Sequence, residues 1–143
     1  MQRAIRTIIE DQKPVTASAE ITVAAAARLM KEHCIGALLV IKDGSLAGIF
    51  TERDALFRVI AEGRDPVKTR VAEVMTANPR TIGPDRPFGH ALHLMYEGGF
   101  RHVPVVDNGR PLGVVSSRDA LGPNLQQFVR DLETRNHIGE ILG

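Results

Sequence analysis

One cysteine, one tyrosine and no tryptophan stand in a chain of 143 residues. The lone thiol, Cys34, can close no internal disulfide, so a disulfide-stapled scaffold is excluded. Aromatic residues are 4% of the chain, too few to build the stacking platforms of single-stranded nucleic-acid binders. Charge of one sign is missing as well. The 18 basic and 17 acidic side chains leave a net charge of +1, which projects no broad field toward DNA, RNA or an anionic membrane. No apolar run approaches the ~20 residues of a membrane span, and Met1-Gln2-Arg3-Ala4-Ile5-Arg6 has none of the apolar stretch of a signal peptide. The expectation is a cytoplasmic protein that engages neither nucleic acid nor membrane. What is there is ordinary: 43% hydrophobic and 24% charged residues, a composition that excludes wholesale disorder and fibrous repeats. A chain of this length can bury ~70% of its unfolded surface, enough for a real core.

The chain matches itself without gaps when shifted by 65 residues, which carries Pro14 onto Pro79. Leu29-Met30 then falls on Leu94-Met95, and Asp43-Gly44 on Asn108-Gly109. Gly48-Ile49-Phe50-Thr51-Glu52-Arg53-Asp54 falls on Gly113-Val114-Val115-Ser116-Ser117-Arg118-Asp119. Glycines, turn pairs and a polar motif kept in one register divide the chain into two copies.

Each copy repeats one pattern. Val23, Ala26, Ala27 and Met30, and likewise Phe88, Ala91, Leu92 and Met95, recur at i, i+3, i+4 and i+7, which predicts one helix per copy with an apolar stripe facing a core. Ala37 to Ile41 and Val103 to Val106 are short β-rich runs, each followed by Asp-Gly or Asn-Gly. Those pairs suit a tight hairpin turn, so a second strand returns over Leu46 to Phe50 and over Leu112 to Val115. Thr51 and Ser116 then stand as N-caps of a further helix. A first strand is expected around Val15-Thr16 and Arg80-Thr81, giving an α+β unit ordered β-α-β-β-α. Residues 1–12 are expected to form an N-terminal helix carrying Ile5, Ile8 and Ile9, 13–61 the first copy, 62–73 a linker, with Val71 to Met75 a short helical lead into the second copy, and 74–121 the second copy. Residues 122–143 are expected to form an amphipathic C-terminal helix with Leu125, Phe128, Val129 and Leu132 on its apolar face. Copies of about 50 residues are small for independent folding, so they should share an interface.

Gly48-x-x-Thr51-x-x-Asp54 and Gly113-x-x-Ser116-x-x-Asp119, each behind a hairpin, together with Val103-Pro104-Val105-Val106-Asp107, resemble a tandem CBS-domain pair, the Bateman module of the cystathionine β-synthase domain family. The resemblance covers about Lys13 to Leu121. It implies two repeats packed through their sheets about a pseudo-twofold axis, two clefts for adenosine-containing ligands (AMP, ADP, ATP, NAD or S-adenosylmethionine), a homodimer, and a regulated target protein on another chain.

The motif's chemistry agrees with this. A capping hydroxyl beside exposed first-turn amides suits phosphate, and an ionised Asp accepts from vicinal ribose hydroxyls. Arg53 and Arg118 can neutralise phosphate. The same Thr-x-x-Asp pattern also reads as a plain helix cap, although Asp is short for the reach back that Glu or Gln makes in a capping box. The two readings are compatible. Arg101-His102 in the second copy replaces Gly36-Ala37 of the first, marking either the better anion-binding region or a solvated strand end. By the resemblance, the cleft of Ser116 and Asp119 takes base contacts from Val15, Thr16 and Ala37, and the cleft of Thr51 and Asp54 takes them from Arg80, Thr81 and His102.

His33, Cys34, His90 and His93 raise the question of a metal, but no Cys-x-x-Cys or His-x-x-x-His spacing occurs, so none is expected. Cys34 reads as a small buried hydrophobe near a helix end. No nucleophile-base grouping is visible, so no catalysis is expected. The competing reading is a structural dimerisation module with empty clefts.

Overall fold

The computed structural model describes residues 3–122 and 130–135. Its elements follow from local chemistry. The first helix, α1 (Ile5–Ile9), is short. Strand β1 (Thr16–Ser18) leads to α2 (Val23–His33), where the Thr22 hydroxyl accepts from the Ala25 amide at 3.1 Å. Helix α2 ends at Cys34, whose left-handed backbone (φ 53°) turns its N–H back to Lys31 O at 3.2 Å. Strands β2 (Ala37–Lys42) and β3 (Ser45–Thr51) form a hairpin whose turn residues, Asp43 and Gly44, both have positive φ, 52° and 79°. That is the turn matched to strand twist. Helix α3 starts as an α-turn at Glu52–Asp54 and widens to π geometry over Ala55–Ile60. After α4 (Val71–Val74) and β4 (Thr76–Ala77), the second copy supplies α5 (Phe88–Gly98), β5 (His102–Asp107), β6 (Arg110–Ser116) and a 3-10 turn over Ser117–Ala120.

The α+β pattern of two repeats holds, with differences that have physical causes. The first sheet has the order β1-β2-β3-β4, with β1 parallel to β2 and the other pairs antiparallel. The second is the β5-β6 hairpin alone. The strand expected around Arg80-Thr81 is reduced to one parallel bridge between Ile82 and Val105. In the first copy Leu39 donates its amide to Val15 O. Its counterpart in the second copy is Pro104, which has no N–H to give, so the ladder cannot extend back to Arg80. Ala27, expected in the apolar stripe of α2, is exposed, whereas Val23, Ala26 and Met30 are buried. Cys34 is exposed rather than buried.

Each copy's core is closed by a helix that precedes the other copy. Ile5 and Ile9 of α1 pack with Phe88, Val103 and Val115 of the second copy. Val71 and Val74 of α4 pack with Val23, Leu38 and Phe50 of the first. Paired backbone bonds fix the exchange: Ile5 N–H to Arg86 O and Phe88 N–H to Arg3 O on one side, Val71 N–H to Ile21 O and Val23 N–H to Thr69 O on the other. The motif glycines make room for it. A Cβ on Gly48 would lie 2.9 Å from Thr76 O, and one on Gly113 would lie 3.1 Å from Ile9 Cβ. A third cluster of Ala37, Leu39 and Ile49, with Leu46 and Val114 against it, joins the two sheets.

Residues 130–135 are helical, with Leu132 exposed. Leu125, Phe128 and Val129 lie outside the described residues. Among the described residues no helix is long and apolar enough to cross a membrane.

Candidate functional site

Strands β3 and β6 each end on a hydroxyl residue, and the carboxylate three residues on folds back over it. In the first copy the Thr51 amide donates to Asp54 Oδ2 at 2.9 Å, the Thr51 hydroxyl donates to the same oxygen at 3.1 Å, and the Asp54 amide approaches Thr51 Oγ1 at 3.3 Å. In the second, the Ser116 amide donates to Asp119 Oδ2 at 2.8 Å. The Ser116 hydroxyl faces the Asp119 amide in the same box arrangement without closing a full cap hydrogen bond. Asp is therefore long enough for the backward reach for which a capping box favours Glu or Gln. The cap uses Oδ2 and leaves Oδ1 as an acceptor, so capping and ligand recognition do not compete for one atom. Asp54 Oδ1 meets Arg58 Nε at 3.5 Å. The Arg3 guanidinium donates to the Asp119 carbonyl, tying the N-terminal segment to the second motif.

Two clefts open between the copies. The larger, with a cavity volume of 760 Å3, brings Ser116, Arg118 and Asp119 of the second copy together with Val15 and Ala37 of the first. The smaller, of 510 Å3, gathers Thr51, Arg53, Asp54 and Arg80. Arg101 and His102 line both. Thr16 and Thr81 line neither. Thr16 is half-buried in β1, paired with Leu39, and Thr81 is exposed beside the bridge at Ile82.

Several lining residues escaped the sequence reading. Lys13, Lys31, Cys34 and Glu52 border the larger cleft, and Phe57 and Arg58 the smaller. Glu52 had a visible signal, since it lies inside the motif where the second copy carries Ser117. Lys13 and Lys31 had none, because both lie outside the motif and reach the cleft only through the fold.

The cations of the two clefts are differently committed. In the smaller cleft, Arg53 donates to Gly99 O at 2.9 Å and lies 5.7 Å from the Phe57 ring centre. Arg58 donates to Val74 O and Met75 O at 3.2 and 3.1 Å, and Arg80 pairs with Glu97 at 3.3 Å. In the larger cleft, no ion pair or side-chain hydrogen bond among the described residues holds Lys13, Lys31, Arg101 or Arg118. His102 has a displaced titration. Burial pushes its pKa below the ordinary 6.5, Glu52 and Asp119 pull it back upward, and Arg101 adds to the lowering. At neutral pH its imidazole is uncharged. Among the described residues no three His, Cys, Asp or Glu side chains converge as metal ligands. His93 instead contacts Glu97 at 2.7 Å.

The CBS domain profile matches residues 5–61 and 71–122. Bacillus subtilis YhcV, a CBS domain-containing protein, is 38% identical over 104 residues, covering 73% of this chain and 74% of YhcV. The mitochondrial CBSX3 of Arabidopsis thaliana is 35% identical over 120 residues, and CBSCBSPB1 of the same plant is 43% identical over 105. This chain spans 58% and 19% of the lengths of those two plant proteins. Among solved structures, a signal-transduction protein with CBS domains from Burkholderia ambifaria is similar with a TM-score of 0.77 at 35% identity, over 82% of this chain and 90% of that one. The CBS domain pair of MJ0100, in complex with 5′-methylthioadenosine and S-adenosyl-L-methionine, is similar with a TM-score of 0.75 at 30% identity, over 84% of this chain and 94% of that one.

Proposed function

The chain belongs to the CBS-domain family, as a pair of repeats, and on that premise we propose that it is a non-catalytic, cytoplasmic regulatory module that binds an adenosine-containing nucleotide between the repeats. AMP, ADP and ATP fit first, with NAD and S-adenosylmethionine in the same class. The observation that carries the reading is the larger cleft: the Asp119 carboxylate, which caps its turn through Oδ2, lies opposite the small Ala37, and Lys13, Lys31, Arg101 and Arg118 border them with no ion pair or side-chain hydrogen bond among the described residues. The carboxylate suits ribose hydroxyls, the cations suit phosphate, and the small residue leaves room for a base. A ligand touching both copies favours one mutual orientation, and a target protein that prefers that orientation is gained or lost by linkage. The test is a calorimetric and thermal-shift series with AMP, ADP, ATP, NAD and S-adenosylmethionine. At least one ligand should bind and raise the melting temperature; silence from all of them at millimolar concentration overturns the reading.

One surface supports a second role. On α3, Leu56, Phe57 and Ile60 are 50%, 53% and 67% exposed, an apolar face suited to burial against a second copy of the chain. A homodimer formed there is compatible with either a filled or an empty cleft. Light scattering on wild type and Ile60→Asp, with and without AMP, separates the cases. A dimer that dissociates on substitution and ignores AMP, in a protein with no calorimetric response, is a structural dimerisation module.

A further inference from the structure

Arg101 and His102 are the two residues that border both clefts. The 65-residue repeat places Gly36 and Ala37 at the equivalent point of the first copy, and these border only the larger cleft. One cationic segment thus stands on the midline where the repeat symmetry calls for two or none. Both motifs also hold that segment. Ser117, beside Ser116 of the second motif, donates its amide to Arg101 O at 3.0 Å. Arg53 of the first motif donates to Gly99 O, two residues before Arg101. The Arg101 side chain is exposed, and among the described residues it has no ion pair or hydrogen bond.

We propose that Arg101, with His102 beside it, is a single anion anchor shared by the two clefts, so that a phosphate-bearing ligand in one weakens the binding of a second such ligand in the other. This rests on the nucleotide-binding reading and adds a regulation to it. A guanidinium held in a bidentate fork by a phosphate in one cleft is turned away from the other cleft. Once Arg101 is committed, the second anion meets a cleft whose remaining arginines, Arg53, Arg58 and Arg80, are engaged with Gly99 O, with Val74 O and Met75 O, and with Glu97. The larger cleft, with Lys13, Lys31 and Arg118 also uncommitted, fills first. The smaller is then left to an uncharged nucleoside or to weak binding. Because binding free energies are reciprocal, the penalty is the same whichever cleft is filled first.

The experiment is calorimetric titration of the full chain with AMP. Asp54→Asn and Asp119→Asn each disable ribose recognition in one cleft while keeping an oxygen for the capping amide, and they report the affinity of the other cleft alone. The expected wild-type second step is ~10-fold weaker than the weaker single-cleft value, in the range of ordinary coupling between sites. In Arg101→Met the titration should return to the sum of its single-cleft components. Adenosine, which has no phosphate, should fill both clefts of the wild type without the penalty, and this arm needs no substitution. A wild-type titration that equals the sum of two independent clefts overturns the shared anchor and leaves nucleotide binding intact. A penalty that persists in Arg101→Met, or is equal for adenosine, also overturns it. No heat with AMP or adenosine in any form of the protein overturns the shared anchor, and silence from ADP, ATP, NAD and S-adenosylmethionine as well overturns the nucleotide-binding reading with it.

Discussion

Cys34 ends α2 in the backbone position that Gly99 holds at the end of α5: both are left-handed, with φ of 53° and 70°. The repeat offset makes them equivalent, yet only one copy uses the residue that adopts this conformation without steric cost. Cys34 is exposed, so its side chain recovers little by burial. Cys34→Gly should stabilise the protein by about 0.5–1 kcal/mol, the left-handed strain relieved less the extra freedom of an unfolded glycine. Gly99→Ala should destabilise it by about 1–2 kcal/mol. Urea denaturation of both variants checks the opposite signs.

The exchanged helices make a spatial prediction. Ile5→Ala and Val71→Ala each empty part of a core and should cost about 2–4 kcal/mol. Ile5 precedes the first copy but packs in the second, so Ile5→Ala should speed amide exchange in β5 and β6. Val71→Ala should speed it in β2 and β3, where its neighbours Leu38, Val40 and Phe50 lie. The reverse pattern in hydrogen exchange would show that each helix serves the copy it precedes.

Substitution can separate the capping done by the motif aspartates from the binding proposed for them. Asp119→Asn retains an oxygen for the Ser116 amide and should leave stability within about 0.5 kcal/mol, whereas Asp119→Ala should lose about 1 kcal/mol of capping. Both should weaken binding of AMP at the larger cleft, by about 1.5–3 kcal/mol if ribose hydroxyls bond the charged carboxylate. Denaturation and calorimetry on the same pair of variants distinguish the cap from the binding role.

His102 sets a pH dependence. Its folded pKa lies below 6.5 because burial disfavours the cation. The neutral form is the one the fold favours, so its contribution is complete above the unfolded pKa of 6.5 and is lost as pH falls from there through the folded value. His102→Gln should flatten the decline in melting temperature on that acid limb while changing little above neutrality. An NMR titration of the imidazole should give a midpoint below 6.5; a midpoint above it would mean that Glu52 and Asp119 outweigh burial.

Much of this was legible in the residues. Asp43-Gly44 and Asn108-Gly109 announced the hairpins, the spacing of Val23, Ala26 and Met30 announced α2, and Thr51-x-x-Asp54 with its copy announced the caps. What escaped was whatever depends on distant segments meeting. Pro104 was in plain view, but its effect on the first strand appears only once Leu39 is seen donating to Val15 in the other copy. Lys13 and Lys31 carry no motif, and their place at the cleft depends on how the segment before β1 and the end of α2 meet the second copy.

The sequence by itself determined two repeats, each with an amphipathic helix and a hairpin, and a hydroxyl-carboxylate pair at the end of each hairpin, because turn, cap and periodicity are local properties of consecutive residues. Tertiary structure alone decided that α1 and α4 trade places between the copies and that Arg101 faces two clefts at once. Both depend on which apolar faces find each other, and nothing in the residues between Ile5 and Phe88 or between Arg53 and Arg101 encodes that by spacing. The scarcity of net charge changes meaning accordingly: a chain with almost no overall field still brings Lys13, Lys31, Arg101 and Arg118 to the seam where the two halves meet.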